Sequence, residues 1–75
     1  MTLDTRTIIY VRLIDEAVPV YRPVIAKRIS NMTYLIIEQE YLSDIEEWEF
    51  RPGQIVKCEE KKMQDGEFLV ATKLD

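Results

Sequence analysis

The chain has 75 residues, of which 47% are hydrophobic and 32% charged, with a net charge of −4, one Cys and no His. That composition belongs to a single folded domain over residues 1–75, and a domain this small buries only about 60% of the surface its unfolded chain exposes, so marginal stability is expected. It excludes an internal disulfide and a zinc site built from Cys and His, and apolar runs of three or four residues are too short to span a membrane.

Ile and Val supply fifteen residues and Thr five more, a β-branched excess that favours strands. In residues 6–14 the set Thr7, Ile9, Val11 and Leu13 is expected to face a core. The alternate set carries Ile8, Tyr10 and Ile14 beside Arg6 and Arg12 and is left for a loop or a neighbouring chain. Asp15 to Pro19 breaks the alternation and predicts the first reversal. Val20 to Ile29 resumes an extended pattern, with Val24 and Ala26 expected inside. Pro23, which donates no ladder hydrogen bond, places that strand at an edge or, as the preferred reading, at a bulge.

A turn at Ser30-Asn31-Met32 leads to Thr33–Glu38, apolar on both faces and therefore expected to be central or covered. Residues 39–47 read as a loop with at most one short helical turn near 41–46, where Ser43 and Asp44 are cap candidates. Trp48 to Phe50 reads as a short strand. Arg51-Pro52-Gly53-Gln54 is then a type II reversal, because Pro presets φ at its second position and Gly accepts positive φ at its third. Gln54–Met63 and a final strand form the last hairpin. Of two registers, a three-residue loop Gln64-Asp65-Gly66 pairing Cys58 with Thr72 and Glu60 with Val70 gathers more apolar side chains on one face than a two-residue Asp65-Gly66 loop, and is preferred.

Five or six short strands in so short a chain predict an all-β fold: a small, partly closed antiparallel barrel, SH3-like, with an OB-like barrel as the alternative. Catalysis is not expected. There is no His for acid–base work, and Cys58, Ser30 and Ser43 have no adjacent base, with Cys58 read as an inert buried thiol. No cofactor or metal is expected.

Charge is divided along the chain. Residues 1–37 carry five basic and three acidic groups, net +2, and residues 38–75 five basic and eleven acidic, net −6. Such asymmetry can steer one copy onto another or onto a charged partner. The candidate acidic surface is Glu46, Glu47 and Glu49, within a stretch of six carboxylates from Glu38 to Glu49. The candidate basic surface is Arg12, Arg22 and Arg28, interleaved with tyrosines as in barrels that bind nucleic acid, although a sequence pI near 4.8 disfavours that partner.

Tyr10-Val11-Arg12-Leu13-Ile14-Asp15-Glu16 with Val20-Tyr21-Arg22-Pro23-Val24, and Glu46-Glu47-Trp48-Glu49-Phe50-Arg51-Pro52-Gly53-Gln54-Ile55-Val56-Lys57-Cys58, resemble segments of a set of short uncharacterised bacterial proteins. The resemblance implies a compact, self-contained bacterial domain and carries over no activity, ligand or site residue. The leading expectation is a non-catalytic, cytoplasmic interaction module that forms a homo-oligomer through Ile8, Tyr10, Ile14, Tyr34 and Leu69. The rivals are an acidic inhibitor or immunity-type protein acting through residues 38–49 and a nucleic-acid-binding barrel using the basic half.

Overall fold

A computed structural model describes residues 6–42, 45–63 and 66–74. Five strands, β1 (Arg6–Arg12), β2 (Tyr21–Ser30), β3 (Thr33–Ile36), β4 (Ile55–Met63) and β5 (Gly66–Thr72), follow one another around a closed barrel. Each sequential pair is antiparallel. An odd number of alternating strands brings the first and last together pointing the same way, so the barrel closes through one parallel bridge, Tyr10 to Val70. The expected small β-barrel is present, closed rather than partly closed and mixed rather than wholly antiparallel. Its sequential strand order is closer to the SH3-like plan than to the Greek-key order of an OB fold.

The core follows from strand parity. Ile9, Val11 and Leu13 point inward from the first hairpin and its margin, Val24 and Ala26 from β2, Tyr34 and Ile36 from β3, Val56 and Cys58 from β4, and Ala71 from β5. Trp48 completes this cluster from the long β3–β4 connection. Leu35 on the outer side of β3 and Ile37 just past its end are half-buried, and the strand is paired on both sides, as its two apolar faces require.

Three local expectations are corrected. The β1–β2 ladder runs unbroken through Tyr10–Pro23, and the register shift lies instead between Arg28 and Ser30. Pro23 needs no bulge. Leu13 N–H donates to the Val20 carbonyl (2.8 Å), and antiparallel alternation then turns the Pro23 nitrogen away from β1. β3 pairs with β2 only from Ala26 onward, so the missing donor would have met no strand. Second, Trp48–Phe50 forms no strand: Trp48 makes one isolated bridge to Leu13, flanked by Ile14 N–H to Glu47 C=O (3.0 Å) and Glu49 N–H to Arg12 C=O (2.8 Å).

The third correction concerns the last hairpin. Cys58 pairs with Ala71, Glu60 with Leu69 and Met63 with Gly66, one residue away from the preferred register; Gln64 and Asp65 lie outside the described residues. A one-residue slip exchanges the two faces of a strand. Leu69 and Ala71 therefore face the core, while Phe68 and Val70 face outward, where the parallel seam covers them. Val70 is buried beside Tyr10, and the Tyr10 and Phe68 rings meet edge to face at 5.1 Å. Both faces of β5 are thus apolar and both are used, which defeats a one-face criterion.

The connections behave as their residues dictate. Gly53 has φ 93°, and Gln54 N–H donates to Arg51 C=O (3.1 Å), closing the expected type II turn. Its Gly53 N–H reaches Ile36 C=O (2.7 Å), pinning the turn to the end of β3. Ile45 and Glu46 N–H groups both donate to Leu42 C=O (3.0 and 3.1 Å), and Ser43 and Asp44, the cap candidates of the expected turn, lie outside the described residues.

Candidate functional site

The β3–β4 connection folds over one mouth of the barrel, and a polar network fastens it there. Arg22 donates from Nε to Glu46 Oε1 (2.8 Å) and from Nη2 to Glu46 Oε2 (2.7 Å), a two-pronged pairing that suits the planar guanidinium. Glu46 Oε1 also accepts from Trp48 Nε1 (2.9 Å), so the buried indole has its hydrogen bond. Both contacts hold the Glu46 carboxyl below its usual range, the Arg22 hydrogen bond contributing most, and the same pairing raises Arg22. Tyr41 lies against the Trp48 ring at 4.7 Å, Arg51 lies 6.0 Å from the Tyr41 ring centre, and Arg51 reaches Glu47 at 3.6 Å.

Gln39 fastens the same connection to β2. Its side-chain Oε1 accepts from Ile25 N–H (3.0 Å), and its Nε2 donates to the carbonyls of Ile25 (2.8 Å) and Ile37 (2.9 Å). A side-chain amide here does what a strand backbone would do. It continues the β3 side of the sheet past the end of β3.

These contacts sort the candidate residues. Of the acidic set, Glu46 is consumed by Arg22 and Trp48, Glu47 is half-buried beside Arg51, and Glu49 is exposed. The three carboxylates do not form one open surface. The basic set is also dispersed. Arg12 projects from the outside of β1, whereas Arg22 and Arg28 share the parity of Val24 and Ala26 and stand at opposite ends of β2, about 20 Å apart at strand spacing. Arg28 Nε turns back to the Ser30 carbonyl (3.4 Å).

The apolar set divides as well. Tyr34 is a core residue and Leu69 is half-buried against the core, so neither belongs to an open interface. Tyr10 is half-buried against Phe68. Ile8 and Ile14 are exposed, at 47% and 49%, but lie at opposite ends of the first strand's run. Ile8 does have an apolar neighbour, which the sequence reading passed over: it pairs across the ladder with Ile25, 39% exposed. The signal was present, since Ile25 has the opposite parity to Val24 and Ala26.

Two grooves flank the barrel. One, about 290 Å³, lies beside Arg22, Pro23, Leu42, Ile45 and Glu46; the other, about 420 Å³, lies at the Arg28 end beside Met32, Glu60 and Glu67. Cys58 is buried in β4, and burial pushes its thiol up to about 11, so at neutral pH it is a protonated thiol rather than a nucleophile. Among the described residues no group of three or more Cys, Asp or Glu is placed to hold a metal ion, and no helix is long and apolar enough to cross a membrane. Compared with known proteins, the chain matches no family model, no curated protein and no solved structure.

Proposed function

We propose that the protein is a non-catalytic binding module that docks through the outer face of β1 and β2. The observation that carries this is the Ile8–Ile25 pair, two large aliphatic side chains side by side on a sheet face with Tyr10 and Pro23 as the next pair along it. Fully burying an aliphatic side chain contributes on the order of 1.5 to 3 kcal/mol before association costs. The rival readings lose support from the geometry: the acidic-inhibitor surface has Glu46 and Glu47 already engaged, and the arginines proposed for nucleic acid stand apart.

The test is affinity capture of the tagged protein from a bacterial lysate, with salt and nuclease controls, beside an Ile8→Glu, Ile25→Glu variant. A protein retained by the unaltered chain and lost by the variant supports the reading. Equal retention by both, or retention that disappears with nuclease, overturns it.

A further inference from the structure

We infer that the other mouth of the barrel, at the Arg28 end, binds a small zwitterion: an aminocarboxylate with an apolar body. The site is separate from the face of β1 and β2 and does not depend on it. β3 pairs with β4 only as far as Thr33 with Lys57, and the last link between them is the Cys58 N–H on the Met32 carbonyl (2.7 Å). Beyond that link β4 runs on with β5 alone, and the groove of about 420 Å³ is walled by the β2–β3 hairpin on one side and the β4–β5 hairpin on the other. Its volume falls in the range of about 300 to 1,000 Å³ usual for small-molecule sites, and barrel mouths are a common place for them.

Strand parity sends unlike groups into this groove from its two walls. Arg28 pairs with Tyr34 across β2 and β3, on the side that carries Ala26 and Ile36 to the core. On the facing wall Glu60 pairs with Leu69 across β4 and β5, and these two with Glu67 continue the side of Val56, Cys58 and Ala71. The core stripe of each hairpin therefore ends in charge where it reaches the mouth. One wall brings a guanidinium and the other two carboxylates, with Met32 and Leu69 half-buried beside them.

These charges are not spent on one another. Among the described residues no ion pair joins Arg28 to either glutamate, and Lys62, across the ladder from Glu67, makes none with it. Arg28 donates only a long hydrogen bond, from Nε to the Ser30 carbonyl (3.4 Å), which leaves its Nη groups for another acceptor. Tyr34 points the same way. It is 6% exposed, yet its hydroxyl has no partner among the described residues and opens on the groove, whereas a tyrosine packed into a core normally has its O–H satisfied. A ligand carboxylate seated on Arg28 also accepts from Tyr34, its neighbour across the ladder. An ammonium at the ligand's other end then meets Glu60 and Glu67, and the apolar body covers Met32 and Leu69. A ligand of one sign satisfies one wall and meets like charge on the other.

The test is calorimetric titration of the full chain with L-leucyl-L-leucine at about pH 7, where both ends of the dipeptide and the glutamates are charged. Beside it run N-acetyl-L-leucyl-L-leucine, which lacks the ammonium, and L-leucyl-L-leucinamide, which lacks the carboxylate. The dipeptide is expected to bind with a Kd below about 1 mM, and each blocked form at least roughly tenfold more weakly. Arg28→Gln, and separately Glu60→Gln with Glu67→Gln, should each weaken the dipeptide at least roughly tenfold, and Tyr34→Phe at least roughly threefold. A β-type far-ultraviolet spectrum shows that each variant is folded, and the charge variants, at exposed positions, decide the matter should Tyr34→Phe not fold. The Ile8→Glu, Ile25→Glu variant should bind the dipeptide as the wild type does. No binding up to about 10 mM dipeptide, a blocked form that binds equally well, affinity unchanged by the charge variants, or binding lost with Ile8 and Ile25 overturns the inference. Capture of a protein partner through Ile8 and Ile25 is read separately, so the docking proposal stands or falls on its own result.

Discussion

Arg22 on β2 and Glu46 in the β3–β4 connection, 24 residues apart in sequence, meet through two hydrogen bonds of 2.8 and 2.7 Å. The pair is the clasp of that connection, because Glu46 simultaneously receives the indole N–H of the buried Trp48. Exposed ion pairs contribute about 1 kcal/mol or less, so Arg22→Ala is expected to cost little by itself. Glu46→Ala is expected to cost more than Arg22→Ala, because it also strips the indole of its acceptor, a loss of about 1 to 3 kcal/mol for a buried polar group. Urea midpoints of the two variants check the order.

The acid side of the stability profile follows from the same carboxylate. Its folded pKa is depressed below the unfolded value, chiefly by Arg22 and then by Trp48. The associated stabilisation is complete above the unfolded pKa of about 4.3 and is lost as pH falls through the folded pKa. The melting temperatures of the wild type and Glu46→Gln should therefore keep a steady gap from about pH 7 to about pH 5 and converge below about pH 4. A gap undiminished well below that range would contradict the assignment.

Cys58 governs the alkaline side. Burial raises its folded value to about 11, above an unfolded pKa of about 8.5. Stability is then complete below the unfolded value and declines as pH rises through the interval between the two. Cys58→Ala leaves a small cavity and lowers stability at neutral pH, but its denaturation midpoint should vary less with pH between about 8.5 and about 11 than that of the wild type.

Gly53 tests the turn. At φ 93° with nothing within 4 Å of an added Cβ, substitution meets backbone strain and no clash. Gly53→Ala is expected to cost about 1 to 2 kcal/mol, and Gly53→Asn less, since Asn tolerates the left-handed region better. Thermal unfolding followed by the fluorescence of the single Trp is a suitable readout.

Gln39→Ala should release the Ile25 backbone. Its N–H loses its partner and its carbonyl keeps only the Ile37 N–H (3.3 Å), and amide exchange at Ile25 is expected to accelerate well ahead of exchange at Val24, whose N–H faces β1. Equal acceleration at the two positions would mean that the whole hairpin loosens rather than its outer side alone.

Strand parity made Ile9, Val11, Leu13, Val24 and Ala26 legible as core, and local turn chemistry made the Pro52-Gly53 reversal legible, because both depend on neighbours in the chain. The β4–β5 register was not, since it is set by a seam between Tyr10 and Val70 at opposite ends of the sequence. Nor was the fate of the acidic stretch: Glu46 looks like a free charge until the fold brings Arg22 to it. Gln39 gave no warning at all, because a lone polar residue in a loop carries no pattern by which to recognise its mimicry of a strand.

The parallel seam also has a consequence for how the molecule is made. On the ribosome, β1 emerges well ahead of β5, and its Tyr10 side waits for a partner that arrives only when Val70 has cleared the exit tunnel. Until then the nascent sheet has two raw margins, the condition in which β-structure is most prone to join a neighbouring chain. Closure of so long a loop is entropically slow, so the seam is expected to be the last part of the barrel to form.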